Sequence, residues 1–488
     1  MIDASRIPVV VLGCHERLKN AGFESYLVGG CVRDLLLKRD PKDWDLTTNA
    51  RPEDIQGLFE ETFYENDFGT VGVVTGAEDP RHKVVEITPY RREGKYSNAR
   101  HPDEVSWAQS LSEDLERRDF TINALAFEPS TGELVDEHGG VDALGRRVLT
   151  TVGDPTKRFE EDALRMLRAI RLASELDFAL DGGVLAAIAQ NSTALRRISR
   201  ERVRDEFSKT LLSPRPMQGI FMAQKLGILS IIAPEVEEGL GVAQNQAHAF
   251  DVFEHSLRSL QHAADRNWPL DVRLAALLHD VGKPASRAWS DEKKDWTFYG
   301  HEVIGAKIAK RVLSDLKYSR ETVETVTTLV RWHMFFSDPD KITLSAVRRL
   351  IVRVGKEHMD DLLNLRVCDR IGTGRPKEHP FRLRKYMSMV EEAMRDPVTV
   401  QMLKIDGTAL IASGEKPGPR IGWILHALLE EVLDDPLKNT AENLAKQAGE
   451  LMKLGDHELK VLGEQGKVRK EDEERSEIRD LRHKYHVS

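Results

Sequence analysis

The feature that most limits the fold of this chain is a change of pattern about one third of the way along it. In the first 150 residues, β-rich runs (SYLVGG, TVGVVTG, KVVEITPY) alternate with helical stretches (VRDLLLK, PEDIQGLFEET), and Gly and Pro punctuate them. After GDPTKRF near residue 155 the sequence turns helical and stays so almost to the end, with no comparable strand pattern. The reading is α+β: a small mixed α/β head followed by a long, mainly α-helical body. At 488 residues the chain exceeds one ordinary core. Turn-rich stretches at PEVEEGLGVAQNQ (234–246) and TGRPKEHPF (373–381) look like connections, so we expect parts at 1–155, 156–245, 246–380 and 381–488, with a charged tail after about 465.

Composition excludes several classes. A chain 40% hydrophobic and 31% charged is a globular protein rich in amphipathic helices, not a disordered one. No run approaches the ~18 apolar residues of a bilayer span, and the start, MIDASRIPVVVLG, lacks the flanks of a secretory signal. A cytoplasmic protein without membrane partners is expected. Cys14, Cys31 and Cys368 are odd in number and far apart, which argues for reduced thiols rather than disulfides or a zinc knuckle. A net charge of −9 weighs against nucleic-acid binding, yet Arg196, Arg197, Arg200, Arg202 and Arg204 are concentrated in a few turns, while acid collects elsewhere, as in DEKKD. That cluster suits a local basic surface or, more plainly, a solvated helix face.

Chemistry enters with Tyr26–Asp34, a strand running through Gly29 and Gly30 into a helix. Glycines without a Cβ let backbone N–H groups approach a triphosphate, and the helix N-terminus and Arg33 add positive potential. Next, KDWDLT sets Asp43 and Asp45 at i and i+2, on one face if extended. Paired carboxylates suit Mg²⁺, and two such ions would bridge an attacking 3′ hydroxyl and an α-phosphate, lowering the hydroxyl pKa and offsetting charge on pyrophosphate. A bare D-x-D is usually a solvated turn; the upstream Gly-Gly-x-Val-Arg-Asp raises it above that. In RRDFTINAL, Arg118 suits a phosphate and Asp119 and Asn123 suit ribose hydroxyls, although a capped amphipathic helix would read the same way.

In EDALRMLRAIR, Asp162, Arg165, Arg168 and Arg171 are spaced by three, so Asp162 and Arg165 would be helix neighbours. As a surface ion pair they are worth only a few tenths of a kcal/mol. A carboxylate with a guanidinium also complements the amine donor and ring-nitrogen acceptor that cytosine and adenine share, and opposes the pattern of uracil and guanine. A buried Asp162 would reject the wrong bases strongly.

Taken in order, YLVGGCVRDLLLKRDPKDWDLTT, RRDFTINALAF, EDALRMLRAIRLASEL and RERVRDEFSKTL resemble the bacterial-type (class II) tRNA nucleotidyltransferases, the CCA-adding enzymes, and their poly(A) polymerase relatives. The resemblance implies that CTP and ATP share one pocket and that tRNA lies along the helical body. It implies nucleotide binding by Gly30 and Arg33, Mg²⁺ on Asp43 and Asp45, and a pocket completed by Arg118, Asp162, Arg165, Arg168 and Arg171. Glu86, in VVEITPYR, is a candidate third carboxylate; a strand-end glutamate is more often inert. RREGKYSNARHPDEV (91–105) resembles the flexible loop of members that add A, which favours full CCA addition; an ordinary surface loop is the alternative.

Farther on, His255, the pair His279-Asp280 and Asp369 follow the order that resembles the HD phosphohydrolase superfamily, whose ligands hold a divalent cation. His301 and His333 occupy positions like those that add a second metal in some of its members. Imidazole with carboxylate suits Mn²⁺, Ni²⁺, Fe or Mg²⁺ better than a closed zinc site. The last hundred residues, with MLKIDGTALI and KPGPRIGWILHALLEEVLDDP, resemble the family's tRNA-binding tail, though their turns would also serve simply to cap helices. The expectation is therefore C, C and A addition to tRNA from CTP and ATP, with an HD metal domain at 246–380. The rivals are a poly(A) polymerase, an A-only or CC-only enzyme, and an RNA-binding HD phosphohydrolase.

Overall fold

The computed structural model describes residues 2–64, 69–93, 105–245, 248–335 and 341–463. Most of the expected 91–105 loop and the charged tail after 465 lie outside the described residues. Contacts divide the chain into two compact units, Met1–Ile232 and Ala233–Ser488.

The first unit opens with helix α1 (Val9–Asn20), strand β1 (Ser25–Val28) and helix α2 (Gly30–Leu36). Then come β2 (Asp45–Thr48), α3 (Pro52–Leu58), β3 (Thr62–Tyr64), β4 (Val71–Val74) and β5 (Val84–Pro89). A small hairpin, β6 (Arg91–Glu93) with β7 (Val105–Trp107), precedes α4 (Leu111–Glu116), β8 (Ala126–Glu128), β9 (Glu133–Val135) and α5 (Gly140–Arg146). Seven of these strands form one sheet in the order β3-β4-β5-β2-β1-β8-β9, in which only the β2–β5 pair is parallel. Alternation explains it: along β5, Val85 and Ile87 are fully buried while Glu86 and Thr88 point to the other face. Burying each such aliphatic side chain is worth about 1.5–3 kcal/mol, which pins the register. With Leu27, Leu46 and Ile55 they form the core of the head.

Beyond the sheet lie β10 (Val148–Leu149), α6 (Pro155–Glu161), α7 (Leu164–Leu176), β11 (Ala179–Leu180), α8 (Gly182–Asn191), α9 (Arg200–Leu212), α10 (Pro216–Lys225) and α11 (Leu229–Ile232). Asp154 caps α6 by accepting from Lys157 N, and Pro155 stands at its first position, so GDPTKRF does start helix as its residues imply. The parallel β10–β11 pair is a correction, since it places a short strand after residue 155.

The second unit begins at α12 (Pro234–Glu237), a helical turn inside the stretch expected to be only a connection. It continues with α13 (Val252–Asp265), α14 (Leu270–Leu278), α15 (Lys283–Ser286), the hairpin of β12 (Ala288–Ser290) and β13 (Asp295–Thr297), α16 (His301–Asp315) and α17 (Arg320–Trp332). After these come α18 (Leu344–Val354), α19 (Met359–Gly372), α20 (Phe381–Ala393), α21 (Gly407–Ala412), α22 (Pro419–Asp434) and α23 (Ala441–Leu451). Helix α13 packs on α14 and α19, and α16 on α17. The hairpin was not expected: its turn, DEKK, reads as a run of charge, yet Trp289 pairs with Trp296 across it. In the tail, Asp406 accepts from Ala409 N and caps α21. All three cysteines are free and buried. Among the described residues, no helix is long and apolar enough to cross a membrane.

Candidate functional site

In the head the site grows out of the β1–α2 turn. Gly29 has φ +76, and a Cβ there would sit 3.0 Å from an Arg118 nitrogen and 3.8 Å from Asp45 Oδ2. Glycine therefore serves two purposes at this position, a left-handed backbone and a close approach of opposite charges. Asp45 opens β2 and lies directly opposite Glu86 in the parallel pair. Asp43 stands two residues earlier, exposed in the bend before the strand, with Trp44 buried between them. Burial, Glu86 and Asp43 push the Asp45 carboxyl up to about 7, against the pull of Arg118 and Arg33. Three acids gathered with too little local positive charge are what a bound divalent cation would relieve, so this donor set fits Mg²⁺.

The surrounding arginines are already held. Arg118 reaches Asp114 at 3.2 Å, and Arg117 reaches the same carboxylate at 2.6 Å. Asp114 is fully buried and also accepts from Thr47 Oγ1. It was missed in the sequence, although an acid with arginines at i+3 and i+4 was its signal. Arg33 donates to Asn123 Oδ1 at 2.9 Å, and Asn123 in turn donates to Asp119. Asp119 takes Arg168 at 2.8 Å; burial would raise its pKa, but Arg168 and Arg165 hold it well below the ordinary range. Both Asp119 and Asn123 are buried, so these two groups, read as ribose ligands, are in this structure occupied in bracing arginines.

The Asp162–Arg165 expectation needs a correction. Asp162 is not in the helix: it is extended (φ −141, ψ 105), joins α6 to α7, and accepts from Leu164 N at 3.0 Å. Arg165 pairs with Glu161 one turn back, while Asp162 is held at 2.7 Å by Arg202 from α9. Arg171 bonds Glu206 and Glu175, and Arg168 also lies 3.7 Å from Glu206. The basic cluster is thus divided, with Arg202 turned inward and Arg196 and Arg197 exposed.

In the second unit, His255 lies on α13, His279 and Asp280 at the end of α14, His301 at the start of α16, His333 at the end of α17 and Asp369 on α19, all buried. The six converge. His255, His279 and Asp369 form one trio and Asp280, His301 and His333 a second, the ligand atoms of each lying within 4.8 Å of one another. Asp280 stands between them: Oδ2 is 3.1 and 3.2 Å from His255 and His279, and Oδ1 is 3.4 and 3.7 Å from His301 and His333. Geometry tests the fit. His279, His301 and His333 each place Nδ1 2.9, 2.6 and 2.7 Å from a backbone carbonyl, so Nδ1–H donates and Nε2 presents a bare lone pair. Yet Nε2 of His301 lies 3.2 Å from Nε2 of His333, and Nε2 of His279 lies 3.0 Å from Nε2 of His255. The facing lone pairs of His301 and His333 repel unless a cation stands between them, and in the other trio a cation would replace the proton that His255 carries toward His279, so both trios fit a divalent metal. Burial would lower His255, but Asp280 and Asp369 raise it to about 9, so a metal there displaces a proton.

Acids on adjacent strands beside a glycine turn, with arginines braced around them, define a nucleotidyltransferase head, here joined to an HD-type metal domain. Family comparison agrees: the Poly A polymerase head domain matches residues 25–150, the probable RNA and SrmB-binding site of polymerase A matches 177–240, and the HD domain matches 252–371. The chain is 32% identical to the CCA-adding enzyme of Lactobacillus helveticus over 461 residues, covering 92% of this chain and 100% of that one. It is also 32% identical to the CC-adding tRNA nucleotidyltransferase of Thermus thermophilus over 422 residues, 83% and 89% of the two chains. The crystal structure of the Bacillus stearothermophilus CCA-adding enzyme in complex with CTP aligns at TM-score 0.68 and 28% identity, over 91% of this chain and 96% of that one. The chain belongs to the bacterial CCA-adding enzyme family, an assembly of nucleotidyltransferase and HD domains, both of which use divalent metals.

Proposed function

We propose that this protein is a template-independent, cytoplasmic tRNA nucleotidyltransferase that adds C, C and A from CTP and ATP to the tRNA 3′ end. The observation that carries the reading is Asp45 opposite Glu86, with Gly29 and Arg118 in contact range, in a chain related over 92% of its length to a CCA-adding enzyme. Asp43 and Asp45, with Glu86 beside them, would hold Mg²⁺. When bound there, it would lower the pKa of the attacking 3′ hydroxyl and offset charge on the departing pyrophosphate. The Gly29–Gly30 turn, whose Gly29 N–H donates to Leu125 O, leaves the Gly30 amide with Arg33 and Arg118 to cradle the triphosphate. Asp119 and Asn123 keep Arg168 and Arg33 aimed, and Arg171 secures the same helix. Asp162 and Arg165 read the donor–acceptor edge that cytosine and adenine share, and Arg202 fixes the Asp162 carboxylate for that task. We assign residues 1–155 to the head, 156–245 to a neck and RNA-binding body, 246–380 to the metal domain and 381–488 to a tRNA-binding tail.

The His/Asp cluster would hold Mg²⁺, Mn²⁺, Ni²⁺ or Fe and hydrolyse phosphate esters. Supporting this are its paired trios and the tautomers imposed on His279, His301 and His333. The test is a tRNA transcript lacking CCA, incubated with CTP, ATP and Mg²⁺ and then sequenced. C, C and A followed by a stop is expected, and an A tract from ATP alone would instead make the protein a poly(A) polymerase. Stopping after C and C is the second reading, and it has its own support: one relative of comparable identity is a CC-adding enzyme. No incorporation at all by the wild type, with phosphate-ester hydrolysis present, would leave an RNA-binding phosphohydrolase as the better description, and incorporation that survived Asp43→Ala would remove Asp43 from the metal site.

A further inference from the structure

Between α2 and β2 the chain crosses residues 37–44 outside any helix or strand, and this bend carries Asp43. Among the described residues no hydrogen bond or ion pair holds the Asp43 side chain, so its aim depends on how the bend is moored. On one side Trp44 is buried and leads into β2. On the other, two side chains reach the last turn of α7, and both reach the same residue. Arg39 donates to the Glu175 carbonyl at 3.3 and 3.4 Å, and Lys42, the residue immediately before Asp43, meets Glu175 Oε1 at 3.0 Å.

Glu175 divides its two oxygens between the bend and the helix. Its Oε2 accepts from Arg171 at 2.9 Å, Arg171 passes on to Glu206 at 2.7 Å, Glu206 lies 3.7 Å from Arg168, and Arg168 ends on Asp119 at 2.8 Å. An unbroken line of alternating charge therefore runs from the residue beside Asp43 to the braced arginines of α7. Burial would raise the Glu175 carboxyl, but Lys42 and Arg171 hold it below the ordinary range, so it stays ionised. The Lys42 side chain is 82% exposed, and a pair so open to water at one end adds little to folding. Its value is geometric. Nucleotide transfer needs the metal on the bend and the base held by α7 to meet one substrate at once, and a misplacement of about 1 Å can cost about 100-fold in rate.

We propose that Glu175 is a positioning residue for nucleotide transfer: through Lys42 it clasps the Asp43 bend to the end of α7, and so sets the metal ligand at a fixed distance from the arginines that grip the nucleotide. The proposal rests on the reading of the head as a nucleotidyltransferase. Steady-state extension of a tRNA transcript lacking CCA, by the full-length protein with CTP and varied Mg²⁺, tests it. Lys42→Ala and Glu175→Ala should each lower kcat about 10-fold and raise the Mg²⁺ needed for half-maximal rate about 5-fold, with the KM for CTP within about 2-fold of wild type. Lys42→Ala should add nothing in the Glu175→Ala background, because both remove the same contact. Lys42→Arg, which keeps the charge and the reach, should restore most of kcat. Since Lys42 is a surface side chain, its two variants keep the fold and decide the matter even if Glu175→Ala does not fold. Wild-type kcat in Lys42→Ala, losses that multiply in the double variant, or a loss carried by the KM for CTP overturns the clasp. A wild type that incorporates nothing would bring down the nucleotidyltransferase reading itself, and the clasp with it.

Discussion

The two candidate sites in this chain are assembled on opposite plans. In the head, the acids lie at a strand end and in an exposed bend, and the positive charges near them belong to arginines that other acids already hold. Asp45 consequently carries a raised pKa, because it is buried and its acidic neighbours are Glu86 and Asp43. In the second unit, six buried ligands come from the ends and faces of five helices, with facing imidazole nitrogens as close as 3.0 Å. We propose that the first arrangement takes up its cation together with a triphosphate. The other is a finished cage, whose ligands are held ready by helix ends and by Nδ1 bonds to carbonyls. The contrast teaches that one chain can carry two candidate metal sites of different build, one with an acid exposed in a bend and one assembled from buried side chains.

The widest break in that comparison would come from removing one acid at each site. Asp45→Ala should cut nucleotide incorporation by at least about three orders of magnitude, measured as tRNA extension, while metal retained after dialysis is unchanged. Asp280→Ala should strip the retained metal, read by elemental analysis, while extension continues. If either variant lost both properties and stayed folded, the independence of the sites would be refuted.

A smaller effect is expected at the turn that holds the head site together. In Gly29→Ala the new methyl meets Arg118 at 3.0 Å on a backbone of φ +76, so Arg118 or the turn must shift. A displacement of this kind should lower kcat about 100-fold, with circular dichroism unchanged. Wild-type kcat would show that Arg118 yields freely and takes no part in aligning the triphosphate.

The open site should also announce itself through pH. Asp45 ionises near 3.8 in an unfolded chain and near 7 in the folded one. Its favourable contribution is therefore complete below about 4 and is lost as pH rises through about 7, leaving a strained anion at pH 8. In chelator, Asp45→Asn should then melt a few degrees above wild type at pH 8 and show no advantage at pH 4. Mg²⁺ should close the gap at pH 8 by stabilising the wild type alone. A gap of equal size at both pH values would assign the effect to packing instead.

The smallest expected change tests base choice. Releasing Asp162 by Arg202→Ala should raise misincorporation of U or G about 10-fold relative to C and A, with little change in the KM for CTP. Selectivity that remained intact would mean the α6–α7 turn positions Asp162 without help from α9.

Much of this was legible in the order of residues. Two glycines ahead of Val-Arg-Asp and the Asp43–Asp45 pair carry their chemistry in local spacing, whereas the His255, His279-Asp280 and Asp369 succession was legible through its resemblance to the HD superfamily. Local spacing also marked α2, β5 and the start of α6, where Asp154 and Pro155 announce a helix. It was misleading where a residue's partner lies far away. Asp162 and Arg165 are three residues apart in sequence, yet Asp162 lies outside the helix and each is held by a different residue. The β12–β13 hairpin was hidden because its turn is all charge, which reads as a solvated run. Asp114, buried under two arginines and Thr47, was overlooked among the acids of LSEDLERRD.

What the chain determined by itself was therefore the set of elements and the chemical vocabulary of each motif, since periodicity, capping and turn preference act within a few residues. What only the tertiary structure decided was who faces whom: Glu86 across from Asp45, Arg202 on Asp162, and Asp280 between two pairs of histidines. Such pairings depend on how elements tens or hundreds of residues apart pack. Their energies arise only once burial has removed water from between the charges.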